Sequence, residues 1–296
     1  MFEQVYGFSC VENQVLARLK SRGMDIVPLY HEAAMPIKEL FFFMVIEGKK
    51  QEYFDRVTRA QDLLRDMGII DFRRRRARCD DLPDMIRNQP DTNDVLIRVN
   101  EGFAKEVLHA RALRSDHFVL VSRNGDGFVL LNDIPELAVP VNDSGLIAAA
   151  QGEYFLLTVC RDITDEDREA LWRMRRFRAE NHIPFCFYKK DLEGIPEVGI
   201  RLRNMAGIYK ALRRRMAAYY GDFVDTAFIR ERIPQMERYY AMLEYYNLKK
   251  TVPLEKYFLL LDELNGMEQE IMKELKCRLE EGRLCCKERS MLCLQR

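Results

Sequence analysis

The chain has 296 residues, 48% of them apolar, and its 47 basic side chains balance its 47 acidic ones. That length suits two ordinary domains of about 100–200 residues each, that composition excludes a disordered chain, and zero net charge excludes a global field for nucleic acid or an anionic membrane. The longest apolar block, Leu40 to Ile46, falls far short of the ~20 residues that a membrane-spanning helix needs, so no transmembrane anchor is expected.

In chain order, Ser9 followed by Glu12 has the form of a capping box, with Ser9 as N-cap and Cys10 as the first helical residue. Val11, Val15, Leu16 and Leu19 then recur along one helical face. Asp25 to Tyr30 reads as a short strand, and Pro36 opens an apolar segment leading into a polar helix, Glu52 to Met67, stopped by Gly68. Asp71 to Cys79 carries Arg73, Arg74, Arg75, Arg76 and Arg78, and a short helix follows at Leu82 to Arg87. Val95 to Val99 is a strand, and two β-rich runs around Arg123-Asn124-Gly125-Asp126-Gly127 read as a hairpin. Asn142 to Ala150 suits a helix, and Tyr154 to Val159 a last strand. Beyond Arg161 the pattern turns helical, with a start at Thr164 and long stretches at Ile200 to Tyr220, Pro234 to Tyr246 and Pro253 to Glu281. An extended piece, Ile183 to Tyr188, and a Gly/Pro-containing loop, Asp191 to Gly199, interrupt them. The expected class is α+β: an N-terminal domain, 1–160, with an antiparallel sheet, then a mainly helical domain, 161–296.

Eight cysteines invite a disulfide framework, but Met1-Phe2-Glu3-Gln4 opens no basic-then-apolar export signal, so a cytoplasmic chain with free thiols is expected. Cys10 at a helix start faces the positive end of the helix dipole, which favours thiolate over thiol. If the hairpin turn is centred on Gly125, His117 lies opposite Asp133, close enough for the carboxylate to steady the imidazole. A one-residue slip would put them on opposite faces. Thiol, imidazole and orienting group are the parts of a nucleophilic acyl-transfer site.

These residues carry a resemblance. Gln4-x5-Cys10 near the N-terminus, His117 heading a late strand and Asp133 ending the next look like the papain-like cysteine peptidase fold over roughly the first 160 residues. The wording HFVLV and GFVLLNDIP is similar to bacteriocin-processing peptidases, and a helical second domain resembles the acyltransferase family of butirosin biosynthesis. The resemblance implies Cys10 as nucleophile, His117 as base, Asp133 as orienting residue and Gln4 as oxyanion donor. It also implies an acyl carrier protein, bearing its 4'-phosphopantetheine arm, as donor, and an amine as acceptor, with no cofactor resident in the chain. Peptide or thioester hydrolysis uses the same residues and is the alternative.

Each feature has a plainer reading. Cys10 alone suits a small buried apolar residue, His117 a sheet histidine, Asp133 a turn cap and Gln4 a terminal residue without a role. Asp116 and Asp126 are rival carboxylates, less suited because the first points away from His117's face and the second belongs to the turn. Cys79, Cys160 and Cys186 lack a helix-start setting, and His182 with Cys186 is too small a set for zinc. Cys277, Cys285, Cys286 and Cys293 lack the spacing of a metal site, so no metal is expected. Arginines group at 73–78, at Arg173, Arg175, Arg176 and Arg178, and at 213–215. They are read as solvated faces or structural ion pairs, or, for Arg73, Arg74, Arg75 and Arg76, as a dock for a carrier protein or its phosphate. A non-catalytic protein binding through these arginines is the third reading.

Overall fold

A computed structural model describes residues 5–48, 59–109, 117–174, 177–249 and 252–293, the stretch 282–293 by its backbone alone. The chain divides into two compact units, Met1–Ile26 with Thr58–Arg168, and Val27–Val57 with Glu169–Arg296. The segment after Ile26, expected in the first domain, therefore belongs to the second unit.

The first unit is a six-stranded antiparallel sheet with helices on both faces. In chain order it contains α1 (Cys10–Ser21), α2 (Ala60–Asp66), β1 (Ile70–Arg76), α3 (Leu82–Arg87), β2 (Asn93–Val99), α4 (Glu101–Glu106), β3 (His117–Asn124), β4 (Gly127–Asn132), β5 (Leu137–Val141), α5 (Asp143–Ala149) and β6 (Ala150–Val159). The strands lie in the order β1-β6-β2-β3-β4-β5. The arginine-rich run is thus an edge strand, where exposed charge discourages pairing with another chain. β1, β5 and α4 are not expected from the sequence; β1 is masked by its run of exposed arginines, and β5 alternates only between half-buried and exposed positions, so its apolar signal is weak.

Alternation assigns the two faces. Val95, Ile97, Val99, Val119, Val121, Phe128 and Leu130 form one buried layer with Leu82 and Ile86 of α3, Ala104 of α4, and Leu146 and Ala149 of α5. Leu96, Leu120 and Leu157, all buried, point to the other face, where α1 packs on β3 and α2 on β1. Val15, Leu16 and Leu19, all buried, are the α1 side of that second layer, while Glu12, Asn13, Gln14 and Ala17 are buried as well, so α1 is enclosed well beyond the stripe that the sequence marks.

In the second unit, Val27–Tyr30 is a 3-10 turn where a strand was expected, and the apolar block continues from a single turn, Ile37–Leu40, into a wide π-type turn, Phe41–Ile46. Pro28 explains the first difference, since it has no N–H to give to a sheet ladder. Helix α6 (Asp165–Met174) crosses from the first unit into the second, followed by α7 (Val198–Tyr219), α8 (Ala227–Leu248) and α9 (Leu254–Cys293). Ile183 to Tyr188 is irregular, without a strand. Pro234, expected to open a helix, lies inside α8. Buried Ile229, Met236 and Leu243 keep one apolar face continuous past it, and that burial offsets the ~3 kcal/mol proline cost. Among the described residues no helix is long and apolar enough to cross a membrane.

Candidate functional site

The start of α1 is built as its sequence suggests. Ser9 Oγ accepts the Glu12 N–H at 3.2 Å, and Glu12 Oε2 accepts from the N–H of Phe8, one residue before the cap, at 2.6 Å. The other Glu12 oxygen accepts the Ala60 N–H at 2.9 Å, so this buried carboxylate also ties α1 to the start of α2. Asn13 Oδ1 accepts the Gly7 N–H at 2.6 Å, and Asn13 Nδ2 donates to Asp133 Oδ2 at 2.8 Å. A Cβ on Gly7 would stand 2.5 Å from Asn13 Oδ1, so only glycine permits this approach. Gln14, wholly buried, donates to the Leu131 carbonyl at 3.0 Å.

Cys10 is partly buried at the tip of this helix. Backbone N–H groups of Phe118, Val11 and Cys10 itself point at its sulfur and favour the thiolate, but burial and then the charge of Asp133 outweigh them, and the thiol is pushed up to about 11. The expectation that position alone activates Cys10 is corrected accordingly. A helix terminus supplies at most ~2 kcal/mol, little more than one pKa unit, whereas desolvation moves buried groups by up to about 3–5 units.

The hairpin register is the second correction. β3 and β4 pair Leu120 with Leu131 and Asn124 with Gly127, around the two-residue turn Gly125-Asp126. Gly125 has φ +57°, as a tight hairpin with glycine at its first central position requires. The expected pairing, centred on Gly125 itself, is therefore off by one residue. Directly paired with Val99, His117 shares the face of Val119 and Val121, while Asp133 follows Leu131 onto the α1 face. His117 consequently does not face Asp133.

Its partner is Asn132, fully buried, whose Oδ1 lies 2.6 Å from His117 Nε2. Asn132 Nδ2 donates to the Pro135 carbonyl at 2.7 Å, which fixes the amide so that Oδ1 faces the imidazole. An amide oxygen only accepts, so Nε2 carries a proton, and the neutral ring that fits this bond has its lone pair on Nδ1. Cys10 Sγ meets the sheet through the Phe118 N–H. Asp133, bonded to Asn13 of α1, and His117, facing the Val119 layer, lie on opposite faces of that sheet.

Gln4, Asp116, Arg175 and Arg176 lie outside the described residues, as do the side chains of Cys285, Cys286 and Cys293. On edge strand β1, Arg73 pairs with Asp71 at 2.7 Å, Arg74 shares the buried Glu153 with Arg98, and Arg75 and Arg76 are exposed. The arginines at 213–215 are structural. Arg213, fully buried, binds Glu268 at 2.6 Å and the carbonyls of Ala33 and Met35; Arg214 pairs with Glu237; Arg215 is buried over the Tyr30 ring at 5.0 Å. Arg173 pairs with Glu169. Among the described residues no group of three or more His, Cys, Asp and Glu side chains is placed to hold a metal ion.

Asn13 and Asn132 are the residues that sequence reasoning missed. Asn132 stands beside Asp133, and only the register distinguishes them; Asn13 lies one helical turn after Cys10, a spacing that puts both on one side of the helix start. Compared with known families the sequence matches no family model, and among curated proteins it matches none.

Proposed function

We propose that the chain is a cysteine-dependent acyltransferase in which Cys10 takes an acyl group from a carrier-protein thioester and passes it to an amine. Nδ1 of His117 removes the thiol proton, Asn132 holds the imidazole in the required tautomer, and the N–H groups at Cys10 receive the carbonyl oxygen as it becomes an oxyanion. Gln4 would add a donor there, and exposed Arg75 and Arg76 would receive an acidic carrier surface. The observation carrying this reading is the His117 Nε2 to Asn132 Oδ1 bond, in a residue whose following peptide N–H points at the Cys10 sulfur. With Nε2 donating to Asn132, Nδ1 is the basic nitrogen of the neutral ring.

A second reading has its own support: a thiol pushed up to about 11 is the state of an inert cysteine, in a protein that binds without catalysis. Intact-mass analysis of the full chain, incubated with thioester-loaded acyl carrier proteins, separates the two. The acyltransferase reading expects an acyl adduct on the wild type that is absent from Cys10→Ser and released by added amine. Release by water alone at the same rate marks a hydrolase, and absence of any adduct removes the catalytic reading.

A further inference from the structure

Asp133 has no part in steadying His117, and its own surroundings are unusual. The residue is 7% exposed. Its Oδ2 is satisfied by Asn13, but Oδ1 is buried and has no hydrogen-bond partner among the described residues. A buried carboxylate oxygen without a donor is costly, and such groups in native proteins are nearly always met by water, an ion or a ligand. The carboxylate is not there by default: it is held by Asn13, and Asn13 by a glycine backbone that leaves no room for a side chain. It lies close enough to Cys10 to act on the thiol by its charge. The tip of α1 thus gathers donors for a carbonyl oxygen at the sulfur and, beside them, an acceptor lacking a donor.

We infer that Asp133 Oδ1 is the docking point for the primary amine that attacks the acylated Cys10. The inference rests on Cys10 being the acylated nucleophile. A protonated amine gives the carboxylate a charge-assisted hydrogen bond between opposite charges, and among the described residues no group of three or more His, Cys, Asp and Glu side chains is placed to hold a metal ion. After the ammonium gives one proton to water, the amine nitrogen bonds to the thioester carbon, the C–S bond breaks, and a second nitrogen proton ends on sulfur. The balance is R–CO–S–Cys10 plus R′–NH3+ giving R–CO–NH–R′, Cys10–SH and H+. A cation at Oδ1 also cancels the charge that helps to hold the Cys10 proton, so a docked amine eases ionisation of the thiol.

Two measurements on the full chain test this. In the first, Cys10 is acetylated with the N-acetylcysteamine thioester of acetate, and the intermediate is followed by intact mass with and without ethanolamine. Asp133→Asn is expected to raise the KM for ethanolamine about tenfold or more while hydrolysis of the same intermediate changes far less. Equal amine dependence in the variant and the wild type overturns the inference. The second needs no variant: iodoacetamide alkylation of wild-type Cys10 at about pH 8 is expected to speed up about tenfold with saturating ethanolamine, one unit of thiol pKa, and not with tetramethylammonium, which has no N–H. An unchanged rate overturns the inference even if Asp133→Asn does not fold. A wild type that never acylates but shows amine-stimulated alkylation refutes the transferase reading and leaves the amine site standing.

Discussion

The proposed chemistry depends on two amides beside two titratable groups. Asn132 gives one oxygen to His117 and one N–H to the Pro135 carbonyl, and it is fully buried. Asn132→Ala removes both at once. It is expected to lower acyl transfer about 100-fold or more, by analogy with loss of an orienting triad member, and to destabilise the fold by about 1–3 kcal/mol through the orphaned carbonyl. Asn132→Asp keeps an acceptor oxygen and is expected to retain much more activity; steady-state rates and thermal melts of the two variants check this. Equal rates in both would remove Asn132 from the mechanism. Cys10 and His117 were legible in the sequence because thiol and imidazole are scarce and chemically distinctive. The amides were not, because asparagine suits many settings and its role follows from which way a strand faces.

At the scale of elements, α1 is specified locally and anchored from a distance. The Ser9 and Glu12 pattern predicted its start, and the start falls there. What the pattern did not reveal is that Glu12 also receives the Ala60 N–H, making one buried carboxylate the joint of two helices. Ser9→Ala should therefore cost about 1 kcal/mol, the usual worth of an N-cap. Glu12→Ala should cost about 3 kcal/mol or more, since two N–H groups lose a charged acceptor worth roughly 1.5–3 kcal/mol each. Denaturant midpoints would show the order, and equal losses would mean that the bond to α2 adds nothing. The hairpin gives the complementary lesson. Its strands were correctly expected, but a two-residue turn in place of one centred on Gly125 exchanged Asp133 for Asn132 as the partner of His117.

At the scale of the whole molecule, the second unit holds polar groups that a sequence pattern would place on a surface. Arg213 and Glu268 are both fully buried, and Tyr209 donates to the same carboxylate at 2.9 Å. Removing one partner of such a pair leaves a buried charge, which is why Arg213 belongs to the architecture. His182, in the same unit, has its pKa lowered below 6.5 by burial, against the pull of Glu268 and with the push of Arg213. The unfolded chain then takes up this proton first, so stability contributed by the neutral ring is present above pH 6.5 and declines as pH falls below it. Neither ring nitrogen has a hydrogen-bond partner among the described residues, so His182→Leu is expected to leave the melting temperature near pH 7 unchanged or raised and to weaken its fall toward acid. A melting temperature with the same pH slope in both proteins would refute this. By itself, the sequence determined the α+β class, the start of α1 and the strands β2, β3, β4 and β6, because periodicity and capping act between near neighbours. Only the tertiary structure decided that the segment after Ile26 joins the second unit, that Arg213 is buried, that burial pushes the Cys10 thiol up and that His117 turns to Asn132. Burial and strand register depend on partners far along the chain, and a single turn residue sets which face a side chain meets.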